Sequence, residues 1–161
     1  AQTLEKRLAK WHNRPAALLC NSGYDANLSV LSSLTINSLV VMDELCHNSI
    51  QMGVRLSKGC TVQTFLHNNL DDLDRILSQA RGSTKPALMV VESVYSMDGD
   101  LAPLQETLNV AMKHGACVIV DVAHGLGVFG ENGIGVLAES GLERHPALLC
   151  SVHTFGKAAG C

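Results

Sequence analysis

The amino-acid sequence predicts an α/β fold with three layers, in which a mostly parallel sheet carries helices on both faces. Short apolar runs alternate with longer segments of helical period along the chain, as they do in strand–helix–strand units. Some of these runs, such as ALMVV and CVIV, have no polar side at all. Strands that are buried on both faces are typical of parallel sheets, so we expect helices above and below this one.

The strands are expected at the short apolar runs, beginning with AALLC and ending with ALLCS. These runs lie at about residues 16–20, 39–42, 61–66, 87–92, 117–121 and 147–151. The segments of helical period predict helices at about residues 4–12, 25–34, 49–57, 70–79 and 104–113. No low-complexity linker and no internal repeat interrupts this order, so a single domain is expected.

Composition argues against several classes of protein. A chain of 161 residues with 47% hydrophobic content can bury one core. A net charge of −3 without a Lys/Arg cluster makes nucleic acid an unexpected partner. No stretch approaches the ~20 apolar residues that span a bilayer, and AQTLEKRLAK is too polar for a signal peptide. Six scattered cysteines lack metal-ligand spacing, so we expect no metal site and a reducing compartment, either the cytoplasm or an organellar matrix.

Polar side chains collect where the predicted strands end, and ligands bind beyond the carboxyl ends of strands in open sheets of this kind. The groups that follow successive strands are Asn21 with Ser22, Gly23 and Tyr24; Asp43 with Glu44 and His47; His67 with Asn68 and Asn69; Glu92 with Ser93 and Ser96; Asp121 with His124; and Ser151 with His153, Thr154 and Lys157. A domain without a ligand site does not need polar residues at the end of every strand. This edge is therefore the expected functional site.

Three of these residues fit the needs of one cofactor. Asp121 ends the strand CVIVD, His124 follows it, and Lys157 comes after the next strand. Pyridoxal phosphate needs a lysine that binds it covalently and a carboxylate that keeps its pyridine nitrogen protonated. Taken alone, such an Asp is more often a turn or cap residue, and such a Lys is usually solvated. Their occurrence together predicts a pyridoxal-phosphate site.

A phosphate site is expected at the start of the second helix. Ser22, Gly23 and Tyr24 follow the run AALLC and open the helix DANLSVLSSL, so backbone N–H groups face the ligand edge. Thr154, three residues before Lys157, can add a hydroxyl group. An ordinary turn and helix cap explains Asn-Ser-Gly equally well when the segment is seen alone.

The run from Gly125 to Gly130 matches G-x-G-x-x-G, a pattern of dinucleotide sites. That pattern should open a helix after the first strand of the fold. Here it follows the fifth strand and continues into Glu131, Asn132 and further glycines, which favour a loop. We therefore expect a loop at this position and no nicotinamide cofactor.

Six motifs stand in the chain in this order: NSGYDANLSVLSSL, DELCHNSI, FLHNNLDDLDRIL, ESVYSMDGDLAPL, DVAHGLGVFGENGIGV and HTFGKAAG. With them the chain resembles the α-oxoamine synthase family of fold-type-I pyridoxal-phosphate enzymes over nearly its whole length. The resemblance implies the large domain of a pyridoxal-phosphate-dependent transferase. Family members are about twice this length or more, so we expect residues 1–161 to be a central part of that domain, with the N-terminal arm and the C-terminal small domain absent.

The resemblance also implies catalytic roles. Lys157 corresponds to the lysine that binds the cofactor covalently, Asp121 to the partner of the pyridine nitrogen, and His124 to a donor to the ring hydroxyl. His47 corresponds to the imidazole that stacks on the ring, and a simple helix-start residue is the alternative. The family usually has an acidic residue after the strand-ending Asp, where this chain has Val122.

The remaining cofactor contacts follow from the same motifs. Gly23 and Tyr24 are expected to cradle the phosphate with help from Thr154, and Glu92 and Ser96 to line the pocket. A surface charge at the end of a strand is the alternative for Glu92.

The implied activity is the condensation of an amino acid with an acyl-CoA or acyl-carrier-protein thioester by a homodimer. TFGKA and DELCHNSI favour the 8-amino-7-oxononanoate synthases of biotin synthesis. ESVYSMDGD fits the 5-aminolevulinate synthases equally well, and an oxoamine synthase of a natural-product pathway is a third possibility. A non-catalytic homologous subunit is the alternative from a different class.

Overall fold

A computed structural model describes residues 1–161 and contains one sheet of five strands. The strands are β1 (Leu39–Asp43), β2 (Thr61–Phe65), β3 (Ala87–Glu92), β4 (Cys117–Asp121) and β5 (Leu148–Val152). They are arranged in the order β2-β1-β3-β4-β5, and every neighbouring pair is parallel. The predicted parallel α/β sheet is confirmed.

Six helices connect and flank the strands. They are α1 (Gln2–Trp11), α2 (Gly23–Leu34), α3 (Asn48–Leu56), α4 (Leu70–Gln79), α5 (Leu104–Lys113) and the short α6 (Val136–Glu139). Side-chain caps explain where several of them begin, because free N–H groups at a helix start need acceptors. Ser22 accepts from the N–H of Asp25 at 3.0 Å, and Asn69 accepts from the N–H of Asp72 at 2.9 Å. None of the helices has the length and apolar character needed to cross a membrane.

The sheet separates two apolar layers because successive side chains on a strand point to opposite faces. Val40, Val90 and Ile119 pack with Leu31 of α2 and Ile50 of α3. The alternate strand positions form the larger cluster with α4 and α5; its members include Val41, Met89, Val118, Leu73 and Leu108. The model therefore has helices on both faces, as the unbroken apolar strands predicted.

The strand order places a switch point between β1 and β3. The chain leaves β1 towards β2 on one side and returns to β3 on the other. A crevice opens at such a point beyond the carboxyl ends of the strands. Asp43, Glu92 and Asp121 are the last residues of β1, β3 and β4, so the predicted ligand edge lies at this crevice.

The strand expected at residues 16–20 is not formed. This segment has no regular secondary structure, and no backbone–backbone hydrogen bond joins it to the sheet. It borders a groove of about 800 Å³ whose other wall is the free edge of β5, and Leu18 is 81% exposed there. Arg14 spans the groove at one end, where its guanidinium donates to the carbonyl oxygens of Glu143, Leu148 and Leu149. An apolar run becomes a strand only where another strand pairs with it.

The glycine-rich segment after β4 forms turns and a single 3₁₀ turn at Glu131–Gly133, as the expected loop requires. Gly127 has φ +81°, and a Cβ atom there would lie 2.8 Å from the Cβ of Ala158. Only glycine allows this close approach in the left-handed region. The glycine-rich segment is thereby held against the residue that follows Lys157. Part of it also enters the core, since Leu126 is buried.

Candidate functional site

The site lies at the carboxyl edge of the sheet, beside the switch point. His47 follows β1 and caps α3, and its backbone N–H donates to Oε1 of Glu92 at 2.5 Å. Glu92 is the last residue of β3 and is only 2% exposed. This hydrogen bond joins the two strands that flank the crevice. The structure therefore brings two of the predicted site residues into direct contact.

Asp121 presents a buried carboxylate at the end of β4, where it is 6% exposed. Its Oδ1 accepts from the N–H of Ala123 at 2.8 Å, and its Oδ2 accepts from the amide of Asn27 at 2.7 Å. Hydrogen bonds that donate to a carboxylate favour its charged form. The two hydrogen bonds thus hold the carboxylate of Asp121 in a fixed orientation.

Lys157 meets His124 across the mouth of β4 and β5, with Nζ 2.6 Å from Nε2 of the imidazole. Lys157 is exposed as a residue, but neighbouring protein partly shields its amine from water, and this desolvation lowers its pKa and outweighs the attraction of Asp121 and Glu92. Burial also lowers the pKa of His124, and the positive charge of Lys157 lowers it further. Two cations at this distance repel, so the pair favours a neutral imidazole that accepts from the amine.

Glu92 is the second acidic group of the site. Burial, together with the negative charge of Asp121, raises the pKa of Glu92 from 4.5 to about 7. The hydrogen bond from the N–H of His47 lowers the pKa of Glu92, but by less than burial and the charge of Asp121 raise it. Acidic groups with a raised pKa are common at functional sites.

The predicted phosphate contacts lie together at the start of α2. A Cβ atom on Gly23 would lie 3.1 Å from the Cβ and 3.4 Å from the Oγ1 of Thr154, so these two residues are in close contact. Ser22 caps the helix, and Tyr24 is 42% exposed beside it. Gly23 leaves the first N–H groups of a twelve-residue helix open next to a hydroxyl group.

Ser96 is placed differently from the other predicted residues. It lies at the exposed tip of a turn between Val94 and Leu101, which pair in an isolated antiparallel bridge. No hydrogen bond joins its side chain to His47, Glu92 or the other site residues. Its part in lining the pocket stays a prediction.

Two buried polar residues that hydrogen-bond to the predicted site residues were not themselves predicted from the sequence. Asn27 in α2 and Ser49 in α3 are 3% and 1% exposed, and their side chains are joined by a hydrogen bond of 2.9 Å. A sequence feature does point to Asn27: it stands four residues before the buried Leu31, a polar side chain on the core-facing stripe of its helix. Ser49 has a weaker feature, since it lies two residues after His47 within DELCHNSI.

A second polar cluster lies at the ends of β1 and β2. His67 contacts Asp43 through Nδ1 at 2.9 Å and Asp100 through Nε2 at 2.8 Å. Burial lowers the pKa of His67, but the hydrogen bonds to both carboxylates outweigh it, so the net pKa is raised. Asn68 also donates to both carboxylates. This cluster fixes the base of the turn that carries Ser96.

The site thus combines a lysine, an imidazole and a buried carboxylate at the carboxyl edge of a parallel sheet. This combination places the protein in the class of α/β proteins whose functional site is built around a lysine. Residues 1–161 match the model of the family described as aminotransferase class I and II. The chain belongs to this family.

Two curated relatives indicate which kinds of enzyme in this family the chain resembles. The chain is 42% identical over 161 residues to 5-aminolevulinate synthase of Bradyrhizobium diazoefficiens, covering 98% of this chain and 38% of that protein. It is 44% identical over 160 residues to 8-amino-7-oxononanoate synthase of Alkalilimnicola ehrlichii, covering 99% and 40%. The chain thus spans about two fifths of the length of the curated relatives it matches.

Solved structures agree with the fold. Serine palmitoyltransferase of Sphingomonas wittichii superposes with a TM-score of 0.90 at 39% identity, over 99% of this chain and 39% of that chain. The enzyme from S. paucimobilis, solved with a bound PLP–myriocin aldimine, gives a TM-score of 0.90 at 38% identity over the same shares. The relatives and structures named here are α-oxoamine synthases, so the resemblance predicted from six motifs is confirmed.

Proposed function

We propose that this chain carries the cofactor-binding core of a pyridoxal-phosphate-dependent acyltransferase, which condenses an amino acid with an acyl thioester. The observation that carries the proposal is the contact of Lys157 with His124 next to the buried carboxylate of Asp121. The chain also belongs to the aminotransferase class I and II family, and its relatives named above are α-oxoamine synthases, which supports the proposed activity.

The residues present fit pyridoxal phosphate. The carboxylate of Asp121 can only accept, which suits a protonated pyridine nitrogen. Gly23 and Thr154 form a cradle at the start of α2 that a Cβ atom on residue 23 would fill. The lowered pKa of Lys157 increases the unprotonated fraction of its amine, the form that reacts with an aldehyde.

Each of these residues has one task in the proposed reaction. When bound, the cofactor supplies an electron sink for charge at the Cα atom of the amino acid. Asp121 would hold a proton at the pyridine nitrogen. His124 would donate a hydrogen bond to the ring hydroxyl of the cofactor. In the decarboxylative form, the bond from Cα to the carboxylate would break with release of CO₂ and a bond would form from Cα to the acyl carbon. The sulfur would leave as a thiolate, which takes up a proton from water.

The proposed substrates are those of 8-amino-7-oxononanoate synthase, L-alanine and a pimeloyl thioester. A second candidate is 5-aminolevulinate synthase, which uses glycine and succinyl-CoA, because the relative from Bradyrhizobium diazoefficiens is 42% identical over 161 residues. The test is an assay of the full-length protein with alanine, glycine and serine against several acyl-CoAs. Release of free thiol only with alanine and pimeloyl-CoA supports the first candidate, and turnover only with glycine and succinyl-CoA supports the second.

A non-catalytic homologous subunit is the competing function of another class. Retention of Lys157, Asp121, His124 and His47 in one chain supports catalysis instead. Borohydride reduction of the full-length protein with pyridoxal phosphate distinguishes the two, since it fixes the cofactor to the reactive lysine. A mass increase on the peptide that contains Lys157 is expected. An unmodified peptide, together with no visible absorbance from bound cofactor, would support the non-catalytic subunit.

We also propose that the full-length protein is a homodimer that works in the cytoplasm or an organellar matrix. The six free cysteines support a reducing compartment. The exposed positions of Lys157 and His47 support the homodimer, since a cofactor held there needs further cover from water. The isolated 161-residue segment is therefore expected to bind pyridoxal phosphate weakly. Sedimentation of the full-length protein and a cofactor titration of the segment test both statements. An active monomer would contradict the first, and equal affinity of segment and parent would contradict the second.

A further inference from the structure

Asn27 is a buried amide between two elements of the site. Its Nδ2 lies 2.7 Å from Oδ2 of Asp121 and 2.9 Å from Oγ of Ser49. An amide nitrogen has two N–H donors, and here each donor has its own acceptor. The two hydrogen bonds connect residues that stand on β4, α2 and α3.

The direction of these hydrogen bonds is fixed by the partners. A carboxylate can only accept, so the NH₂ group of Asn27 must face Asp121. The other oxygen of Asp121 accepts from the N–H of Ala123. Both carboxylate oxygens are therefore held by donors, and the plane of the carboxylate cannot turn without the loss of one hydrogen bond.

The chain of hydrogen bonds continues to His47. Oγ of Ser49 lies 2.7 Å from Nδ1 of His47, and the backbone N–H of Ser49 donates to the same nitrogen at 3.2 Å. Nδ1 is thus the acceptor at both contacts, and the contact with the hydroxyl oxygen is the shorter one. The hydroxyl of Ser49 accepts from Asn27 and donates to Nδ1, which leaves the proton of the neutral imidazole on Nε2.

Close packing of two helices makes this connection possible. A Cβ atom on Gly53 of α3 would lie 2.8 Å from the backbone oxygen of Asn27 and 2.9 Å from the Cβ of Leu31. The absence of a side chain at this position lets α3 approach α2. Ser49, one helical turn before Gly53, thereby comes within reach of the Asn27 amide.

We propose that Asn27 is a positioning residue of the cofactor site, which holds the carboxylate of Asp121 and, through Ser49, fixes the tautomer of His47. The inference rests on the proposed function, because it assigns Asp121 to the pyridine nitrogen and His47 to the face of the ring. A single amide then sets the two groups that contact the cofactor from its edge and from its face.

The test uses the full-length protein with Asn27→Asp, Ser49→Ala and the control Asn109→Asp. Asn27→Asp has nearly the same shape but replaces two donors by a second carboxylate beside Asp121. Ser49→Ala removes only the side-chain hydrogen bond to His47 and leaves the hydrogen bond of Asn27 with Asp121 in place. Asn109 is exposed on α5, on the other face of the sheet, and receives the same chemical change. NMR of labelled histidine in the apo-protein reports the His47 tautomer, and titration with pyridoxal phosphate reports affinity and the pH dependence of the visible absorbance.

Asn27→Asp should lower cofactor affinity by about tenfold to a hundredfold, the range for a lost hydrogen bond to a charged group. It should also shift the pH dependence of the absorbance and mix the His47 tautomers. Ser49→Ala removes the shorter of the two hydrogen bonds to Nδ1 and leaves the backbone one, so it should raise the fraction of the Nδ1-protonated tautomer while the pH dependence stays as in the wild type. Asn109→Asp should match the wild type in every measurement. If Asn27→Asp does not fold, Asn27→Ser, whose shorter side chain cannot span both acceptors, tests the branch to Asp121.

Two results overturn the inference. One is an Asn27 variant with wild-type tautomer and affinity. The other is an equal change of the absorbance profile in Ser49→Ala and the Asn27 variant, which would indicate a general loosening of the helix pair. A wild-type protein that binds no pyridoxal phosphate would overturn the proposed function as well, whereas wild-type binding with unchanged variants overturns the positioning role alone.

Discussion

The contact between Lys157 and His124 is the closest polar contact at the carboxyl edge between β4 and β5. The short distance between Nζ and Nε2, 2.6 Å, disfavours two positive charges. Partial desolvation lowers the pKa of both groups. The amine of Lys157 is therefore unprotonated more often than that of a lysine in water.

Replacement of this lysine gives the first prediction. Lys157→Ala is expected to abolish the borohydride-stable attachment of pyridoxal phosphate and nearly all turnover. No neighbouring amine can substitute, because Lys113 lies at the end of α5 and is paired with Asp74 at 2.7 Å. Mass spectrometry after reduction and a thiol-release assay measure the two effects. Normal turnover by the variant would refute the assignment of Lys157.

The second prediction concerns the carboxylate that Asn27 and Ala123 hold. Asp121→Asn should leave the cofactor able to bind but lower turnover strongly, because an amide cannot stabilise a protonated pyridine nitrogen as a carboxylate does. Equilibrium titration and steady-state kinetics separate the two quantities. An unchanged rate would mean that Asp121 serves only as a strand cap.

The third prediction follows from the raised pKa of Glu92, about 7 against 4.5. Between these pH values the folded state binds a proton that the unfolded chain has released, so stability falls as the pH rises through this range. At about 1.4 kcal/mol per pKa unit, the cost above pH 7 is roughly 3 kcal/mol. Glu92→Gln should remove this slope in the apo-protein while it keeps the acceptor for the His47 N–H.

Urea unfolding at pH 5 and pH 8 measures this effect, with the exposed Glu106→Gln on α5 as the matched control. The Glu92 variant should gain stability over the wild type at pH 8 and little at pH 5. Equal gains at both pH values would exclude ionisation of Glu92 as the cause.

The glycine-rich segment after β4 packs against Ala158, the residue that follows Lys157. Gly127→Ala is expected to displace the segment around Ala158 and weaken cofactor binding, because the added Cβ would lie 2.8 Å from that of Ala158. The left-handed backbone costs about 1–2 kcal/mol on its own. Steric overlap adds about 1–3 kcal/mol.

Gly82→Ala separates these two costs. Gly82 has φ +90°, and nothing lies within 4 Å of its added Cβ. This control should lose stability through backbone strain alone and keep the affinity for pyridoxal phosphate. Similar losses of cofactor affinity in both variants would show that contact with Ala158 is unimportant.

Elements also explain what the sequence could predict. The α4, α5, β3 and β4 segments have the expected bounds, because each carries its own periodicity. Asp121, His124 and Lys157 were predictable because parallel strands end at the same edge. The contact of Asn27 with Asp121 spans 94 positions and depends on the approach of two helices at Gly53, which no local pattern encodes.

At the scale of the whole molecule, the groove beside β5 shows where local patterns fail. The apolar run at residues 16–20 looks like a strand, yet in this chain no strand lies beside it. Strand formation is decided by pairing, and pairing depends on residues far away in the sequence. The error at residues 16–20 therefore does not affect the prediction of the sheet itself.

Arg14 lies over the free edge of β5, so we expect it to affect how readily the protein aggregates. A free strand edge is a template on which a second molecule can add a strand, and natural proteins often guard such edges with charge. The guanidinium of Arg14 occupies the carbonyl oxygens of Leu148 and Leu149 and so blocks part of this template. Arg14→Ala should make the 161-residue segment aggregate at lower concentration, while Arg55→Ala, at an exposed site on α3, should not. Light scattering against concentration would show whether one arginine acts as a gatekeeper against intermolecular β-pairing.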